Sequence, residues 1–414
     1  METNVQRIKH DIEKLAQFTA TPGKGVTRFS YTLEDRAARS YIKEQMQQAE
    51  LAIFEDAAGT VIGRRPGEVE GPAVLVGSHF DSVKHGGAFD GTAGVVVALE
   101  IARVLKEENI TTRYPIEVIA MVEEEGGRFG GGLLASQAMA GMVTEEMLTE
   151  SYDAQGVSLA KAMVDFGLNP DIKAAQRRPE ELKAFFELHV EQGIILESEG
   201  IDLGLVQAIV GMREYEVEIT GRPDHAGTTP MNLRADALIA ASQVVQQVRQ
   251  IALDVGGGAV GTVGRLEVLP GAGNIVPGQV RFSVDLRSHE QTALDSLAAK
   301  LKKAVQAACK PEGLTYAITD KMNVEPVSLP SHLRDLIAKE AKDRGISTRT
   351  MVSGAGHDTQ VMATLTDAAL IFVPSKDGRS HCPEEWTAYA DLKKGADVLL
   401  GAVVTMANQI SNDI

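Results

Sequence analysis

The apolar positions of this chain fall into short blocks with two distinct periods. Over 4–20, Val5, Ile8, Ile12, Leu15 and Ala16 recur at helical spacing, which predicts an amphipathic helix. Val74-Leu75-Val76-Gly77-Ser78-His79 is a short apolar run ending in polar residues, the form of a buried strand whose carboxyl end reaches a site. A Gly-rich loop follows, then helical spacing over 93–105. A second β-branched run, Ile116-Glu117-Val118-Ile119-Ala120-Met121-Val122, ends in Glu123-Glu124-Glu125. The first 110 residues read as helix, strand, strand and helix. Strand, helix and strand in succession predict an α/β fold: a mixed, mainly parallel sheet with flanking helices and its chemistry at strand ends.

After about residue 210 the pattern changes. Tyr215-Glu216-Val217-Glu218-Ile219 alternates, which predicts a half-exposed antiparallel strand. Helical spacing over 236–251, strands over 261–268 and 280–286, a helix over 292–308 and a strand over 314–319 complete a β-α-β-β-α-β order. After Pro326 the first pattern resumes, with Ile371-Phe372-Val373-Pro374 as a further buried strand. The expectation is a discontinuous domain over 1–210 and 326–414, interrupted by an inserted α+β domain over 211–325.

Composition narrows the partners. The 414 residues suffice for two domains, and a 44% hydrophobic content matches a globular chain with a sizeable core. Acidic residues outnumber basic ones 57 to 41, a net charge of −16. That balance argues against nucleic acid or an anionic membrane as partner, while a local arginine can still hold a small anionic substrate. The start of the chain is polar, with no basic-then-apolar leader, and no run of about 18 apolar residues occurs. Cys309 and Cys382 are the only cysteines and form no disulfide framework, so a reducing, cytoplasmic setting is expected.

Several polar residues sit where chemistry would be delivered. His79, at a strand's carboxyl end with Asp81 two residues on, suits a metal ligand and the carboxylate that orients it; a histidine satisfied by local backbone is the alternative. In Gly86-Gly87-Ala88-Phe89-Asp90-Gly91, glycines on either side allow a tight turn that brings Asp90 inward, where two carboxylate oxygens could bridge two cations. No Gly-Lys-Ser/Thr follows, so a phosphate loop does not fit. Glu123-Glu124-Glu125 at a strand end repel one another unless a cation compensates, and one ligand plus one general base would account for them; an exposed acidic turn is the rival. His189 and His381 each could be core histidines, but with His79, Asp90 and a glutamate they make a nitrogen and oxygen set suited to zinc, manganese, cobalt or nickel. Cys382, beside His381, is read as structural. His225, in the Gly-rich loop 221–230, could donate to an oxyanion or mark a turn. Asn274 and Arg287 lie near strand ends, and Arg287 could hold a substrate carboxylate or pair with Asp285.

Taken in order, these motifs resemble the M20-type metallo-aminoacylase and carboxypeptidase family. The nearest likeness is to its carbamoylase branch of N-carbamoyl-L-amino-acid hydrolases, allantoate amidohydrolases and β-ureidopropionases. The resemblance spans essentially the whole chain. It is carried by Gly77-Ser78-His79-Phe80-Asp81-Ser82, Glu123-Glu124-Glu125-Gly126, Glu187-Leu188-His189-Val190-Glu191-Gln192-Gly193 and His225-Ala226-Gly227-Thr228-Thr229-Pro230-Met231, with Ser353-Gly354-Ala355-Gly356-His357-Asp358 and Ser380-His381 at the far end. It implies a di-metal exopeptidase-like catalytic domain and a lid or dimerisation role for the insertion. Two divalent ions per subunit are implied, His79 and His189 on one, Glu125 and His381 on the other, with Asp90 bridging. Glu124 would be the general base, and His225 would reach the active site of a partner subunit in a homodimer. Gln192, Asn274 and Arg287 would bind substrate; His357 fits either substrate contact or support of a ligand. Every ligand position carries the residue type the family requires.

The activity so implied is hydrolysis of the ureido C–N bond of an N-carbamoyl-L-amino acid to the L-amino acid, ammonia and carbon dioxide. Allantoate amidohydrolysis in purine-nitrogen salvage needs the same centre and the same anion clamp. A dipeptidase or aminoacylase fits the Glu187–Gly193 motif less well. A non-catalytic metal-dependent binding protein would have no use for Glu124.

Overall fold

Alternation and continuous burial separate the two kinds of sheet in this chain. The computed structural model describes residues 1–169 and 171–410. It divides into a larger unit, Met1–Gln207 with Leu329–Met351 and Gly356–Ile414, and a smaller one, Ala208–Ser328 with Val352–Ala355.

The larger unit is built on a mixed sheet whose strands run, in spatial order, Ala52–Glu55, Val61–Arg65, Ile116–Met121, Ala73–His79, Leu182–Val190, Ala368–Val373 and Leu203–Ile209. The four central strands, from Ile116–Met121 to Ala368–Val373, are mutually parallel, and antiparallel strands flank them on both sides. Every residue of Ala73–His79, Ile116–Met121 and Ala368–Val373 is buried. Parallel strands covered on both faces need such unbroken apolar runs. Helix Thr92–Glu107 packs on three of these strands, and the helices Val5–Leu15 and Tyr389–Asn408 pack against it. This is the mainly parallel α/β class that the sequence predicts.

Helix starts follow local chemistry. Asn4 caps Val5–Leu15 by accepting the Gln6 and Arg7 N–H groups, and Asp236 caps Ala237–Val255 by accepting those of Leu238 and Ile239. The structure adds a helix, Leu33–Gln48, and the antiparallel pair Ala52–Glu55 and Val61–Arg65 ahead of the first predicted strand. That helix is polar along most of its length. It buries Ala38, Ile42 and Met46 together with an internal Asp35–Arg39 ion pair of 2.9 Å, so its apolar stripe is only three residues deep.

In the smaller unit, Gly211–Thr220 and Gln279–Ser288 are antiparallel neighbours; burial alternates along all of Gln279–Ser288 and along Gly211–Thr220 from Tyr215 onward. Tyr215, Val217 and Ile219 share a core with Val280, Phe282, Val284 and Leu286 and with the helices Ala237–Val255 and Gln291–Cys309. Each such large apolar side chain contributes roughly 1.5–3 kcal/mol when fully buried. The strand predicted over 261–268 is two pieces, Val260–Thr262 and Leu266–Leu269, both paired to Gln279–Ser288 but offset by one residue of register. Gly264 lies in the break, at the one-residue shift of the ladder.

Candidate metal centre

Parallel strand ends assemble the site. His79 closes Ala73–His79, His189 lies one residue from the end of Leu182–Val190, and their rings stack at 5.7 Å between centroids. Asp90 sits just ahead of helix Thr92–Glu107, separated from it by Gly91. Gly91 has φ +58, and a Cβ there would lie 2.3 Å from the His79 ring, so only glycine lets the turn close over the imidazole.

Three imidazoles surround the Asp90 carboxylate. Oδ1 is 3.3 Å from His79 Nε2 and 3.1 Å from His189 Nε2. Oδ2 is 3.4 Å from His381 Nε2, which is also 3.4 Å from Glu125 Oε2. His79, Asp90 and His189 thus form one group of ligand atoms within 4.8 Å of one another, and Asp90, Glu125 and His381 form a second. His189 Nδ1 lies 2.9 Å from the Val190 carbonyl, while its Nε2 accepts the Gly91 N–H. With its proton on Nδ1, the ring has one lone pair on Nε2, which the Gly91 N–H takes here and which a metal ion would use in its place.

The glutamate run separates at Glu123, whose φ of +55 turns the chain just after the strand. Glu123 turns away to accept the Phe129 N–H. Glu124 Oε2 comes within 3.7 Å of His79 Nε2, and Glu125 faces His381. Burial, reinforced by Glu125, Asp358 and Asp81 and opposed by His79, holds the Glu124 carboxyl well above the ordinary range. Burial and the nearby Asp90 push Glu125 up to about 7. Burial alone would raise Asp90 too, but His189, His381 and His79 pull it well below its usual value. The hydrogen bond to Asp90, against burial, raises His381 to about 9.

This donor set fits divalent cations. Carboxylates crowd one another at a buried strand end, and among the described residues Glu125 Oε1 is buried with no hydrogen-bond partner. A metal ion would take that oxygen and relieve the repulsion, and imidazole and carboxylate are the donors that borderline divalent metals accept.

The Asp81 carboxylate reaches His79 as the sequence predicts, but at longer range than its own backbone does. His79 Nδ1 is 3.2 Å from the Asp81 backbone carbonyl, and the carboxylate stands off at 3.6 Å. Its two oxygens also accept the backbone N–H groups of Glu124 and Glu125, both at 3.2 Å. An ionised carboxylate has lone pairs enough for both N–H groups and the imidazole.

Gln192, also in the larger unit, donates from Nε2 to Asp90 Oδ2 at 2.8 Å, and its own φ is +57. His357 is buried edge-on against the His189 ring, with 4.5 Å between centroids. Burial, followed by the charge of His189, lowers its pKa well below that of a free imidazole. His225, Asn274 and Arg287 belong to the smaller unit. His225 is exposed, and its Nδ1 accepts the Gly227 and Thr228 N–H groups at 3.0 and 3.2 Å. Its neutral ring therefore carries the proton on Nε2, as a donor. The Asn274 backbone carbonyl accepts the Ala226 N–H, tying that loop to the His225 loop. Arg287 grips Asp285 through Nε and Nη2 at 3.0 and 3.1 Å and the Gly354 carbonyl through Nη1 at 2.9 Å. The ion pair weighed against substrate binding is present, and one N–H on each Nη is left over.

Two contributors carry no readable sequence signal. Arg28 is fully buried, and its guanidinium donates to the carbonyls of Leu15, Phe18 and Phe80 and to Thr92 Oγ1. It thereby joins the end of the His79 strand to the start of the helix after Asp90. Glu385, buried in the segment after His381, accepts the Phe89 and Asp90 N–H groups.

The family model of the M20/M25/M40 peptidases matches residues 70–405. An N-carbamoyl-L-amino-acid amidohydrolase of Paenarthrobacter aurescens is 46% identical over 401 residues, 96% of this chain and 97% of that protein. An allantoate amidohydrolase of Bacillus subtilis is 36% identical over 96% of each chain. Among solved structures, an amidase of the hydantoinase/carbamoylase family from Burkholderia multivorans superposes with a TM-score of 0.92, at 36% identity over 99% of both chains.

Proposed function

The chain belongs to peptidase family M20/M25/M40, and from that premise we propose that it is a di-metal amidohydrolase that cleaves the ureido C–N bond of N-carbamoyl-L-amino acids. The observation that carries the reading is the meeting of two ligand groups on Asp90, with the Glu124 carboxylate alongside. The 46% identity to a carbamoyl-amino-acid amidohydrolase supports the substrate class.

His79, His189 and Asp90 would hold one ion, and Asp90, Glu125 and His381 the other, with zinc or manganese favoured by the donors and cobalt or nickel compatible. When bound, such ions polarise a carbonyl oxygen and acidify water. The positive charge of bound cations would favour the ionised form of Glu124 against the burial that raises its pKa. As a carboxylate it takes a proton from the attacking water and passes it to the leaving nitrogen. One water is consumed, and the products are the L-amino acid, ammonia and carbon dioxide. His225, protonated on Nε2, donates to the developing oxyanion. In this reading it does so in the site of a partner subunit, within a homodimer formed through the smaller unit, which also serves as lid. Gln192, Asn274 and Arg287 bind substrate, Arg287 offering its two remaining Nη donors to the α-carboxylate. His357 supports His189. The protein works on a small molecule, in the cytoplasm, without nucleic acid or membrane. The unpaired Cys309 and Cys382 support that setting, and none of the described helices is long and apolar enough to cross a membrane.

The 36% identity to an allantoate amidohydrolase supports a second reading, with allantoate as substrate of the same centre. Ammonia release from metal-loaded protein decides between them. Several N-carbamoyl-L-amino acids, allantoate and one N-acyl amino acid are compared. Preference for carbamoyl amino acids is expected; preference for allantoate would transfer the conclusion to the second substrate, and turnover of the N-acyl compound alone would overturn both.

A further inference from the structure

Asp90 stands in a glycine-rich turn just ahead of helix Thr92–Glu107. A carboxylate that must face three imidazoles needs its backbone held from outside. Glu385 is 4% exposed and lies 295 residues further along the chain. Its Oε1 accepts the Phe89 N–H at 2.9 Å and the Asp90 N–H at 3.0 Å. Its Oε2 accepts the Ser380 hydroxyl at 2.6 Å, and that same Ser380 Oγ lies 2.9 Å from Asp90 Oδ2. Ser380 immediately precedes His381, whose φ of +55 is a conformation that a side-chain-bearing residue holds only under constraint. Room for the glutamate is made by Gly87, where a Cβ would fall 2.1 Å from Glu385 Oε1.

We infer that Glu385 is a positioning residue of the metal centre: its carboxylate clamps the main chain of Asp90 and, through Ser380, ties that turn to the loop bearing His381. It touches neither substrate nor ligand atoms of its own accord. Its effect is to keep Asp90 and His381 in one frame, so that the second ligand group stays preorganised. A glutamine of the same shape can keep every link: its carbonyl oxygen accepts the two N–H groups, and its amide donates to Ser380 Oγ, whose own proton then turns to Asp90 Oδ2. The chemistry is therefore that of shape and hydrogen bonding rather than of charge.

This inference rests on the di-metal reading, and zinc binding to the full-length protein separates the two. Zinc affinity is measured by chelator competition on wild type, Glu385→Ala, Glu385→Gln and Ser380→Ala, and the melting temperature of each is taken after chelation. A wild type that takes up no zinc would defeat the di-metal reading itself. With zinc bound by wild type, Glu385→Ala is expected to weaken it about 10–100-fold, the usual effect of removing a partner that orients ligands. Glu385→Gln should stay near wild type, and Ser380→Ala should fall between. Wild-type zinc affinity in Glu385→Ala would overturn the inference, as would a glutamine variant that loses zinc as badly as the alanine one. A purely structural role would lower the chelated melting temperature and leave the zinc affinity of the folded protein unchanged. Should Glu385→Ala fail to fold, Ser380→Ala decides: weakened zinc supports the clamp, and unchanged zinc overturns it.

Discussion

The Asp81 carboxylate lies beneath the peptide of Glu124, its Oδ1 accepting the Glu124 N–H at 3.2 Å while Oδ2 takes that of Glu125. One side chain thus sets the backbone from which the proposed base and a proposed ligand project. Asp81→Asn offers one acceptor where two are needed and turns an NH2 group against a backbone N–H. A 10–100-fold loss in metal affinity is expected, the scale of a lost orienting partner. Chelator titration checks it, and an unaltered affinity would show that the strand end holds its shape without the clamp.

Glu124 is assigned to proton transfer and to no metal. Glu124→Gln is predicted to bind metal as wild type does and to lose about 100-fold or more in kcat, the range for removal of a general base. Metal analysis and ammonia release on the same preparation read both halves. Retained turnover would remove Glu124 from the role.

Asp90 is shared by both ligand groups, so its truncation reaches each of them. For Asp90→Ala, bound metal should fall below one ion per subunit, against the two proposed for wild type, and ammonia release should vanish. Two ions retained in that variant would mean the groups do not depend on a common carboxylate.

Chelation should abolish activity, and zinc or manganese should restore it. Metal that binds only the folded chain adds stability by mass action, about 2.7 kcal/mol at a hundredfold excess over Kd. The melting temperature is expected to rise with added metal. A transition indifferent to metal would count against a centre built into the fold.

His225 lies in the smaller unit, away from every proposed ligand in sequence. Its replacement by alanine should lower kcat by about 10²–10³, as loss of one oxyanion donor does, with bound metal unchanged. A dimer by light scattering, and partial recovery of activity on mixing His225→Ala with Glu124→Gln subunits, would fit action across subunits. A fully active monomer would rule that out.

Local pattern settled a good deal. Continuous apolar runs over 74–79 and 116–122 mark strands buried on both faces, and alternation over 215–219 marks a strand with one exposed face; the structure has both kinds there. Burial acts on each strand separately, so its period is written into neighbouring residues. The residue types at strand ends, a histidine and an acidic run, were equally legible.

Which atoms meet was not. His79 and His189 share Asp90 Oδ1 because Ala73–His79 and Leu182–Val190 are parallel neighbours, and register between strands some 110 residues apart leaves no local trace. Three consecutive glutamates look alike until a left-handed φ at Glu123 sends them to different partners. Asp81 reads as the orienter of an imidazole, and its second task, accepting two backbone N–H groups, shows only in the folded turn that presents them. Glu385, to which the sequence assigns no role, is buried because the turn at Gly87 leaves room for it. Hydrogen bonding at 3 Å depends on the placement of whole segments, and that placement is decided by packing summed over the entire core.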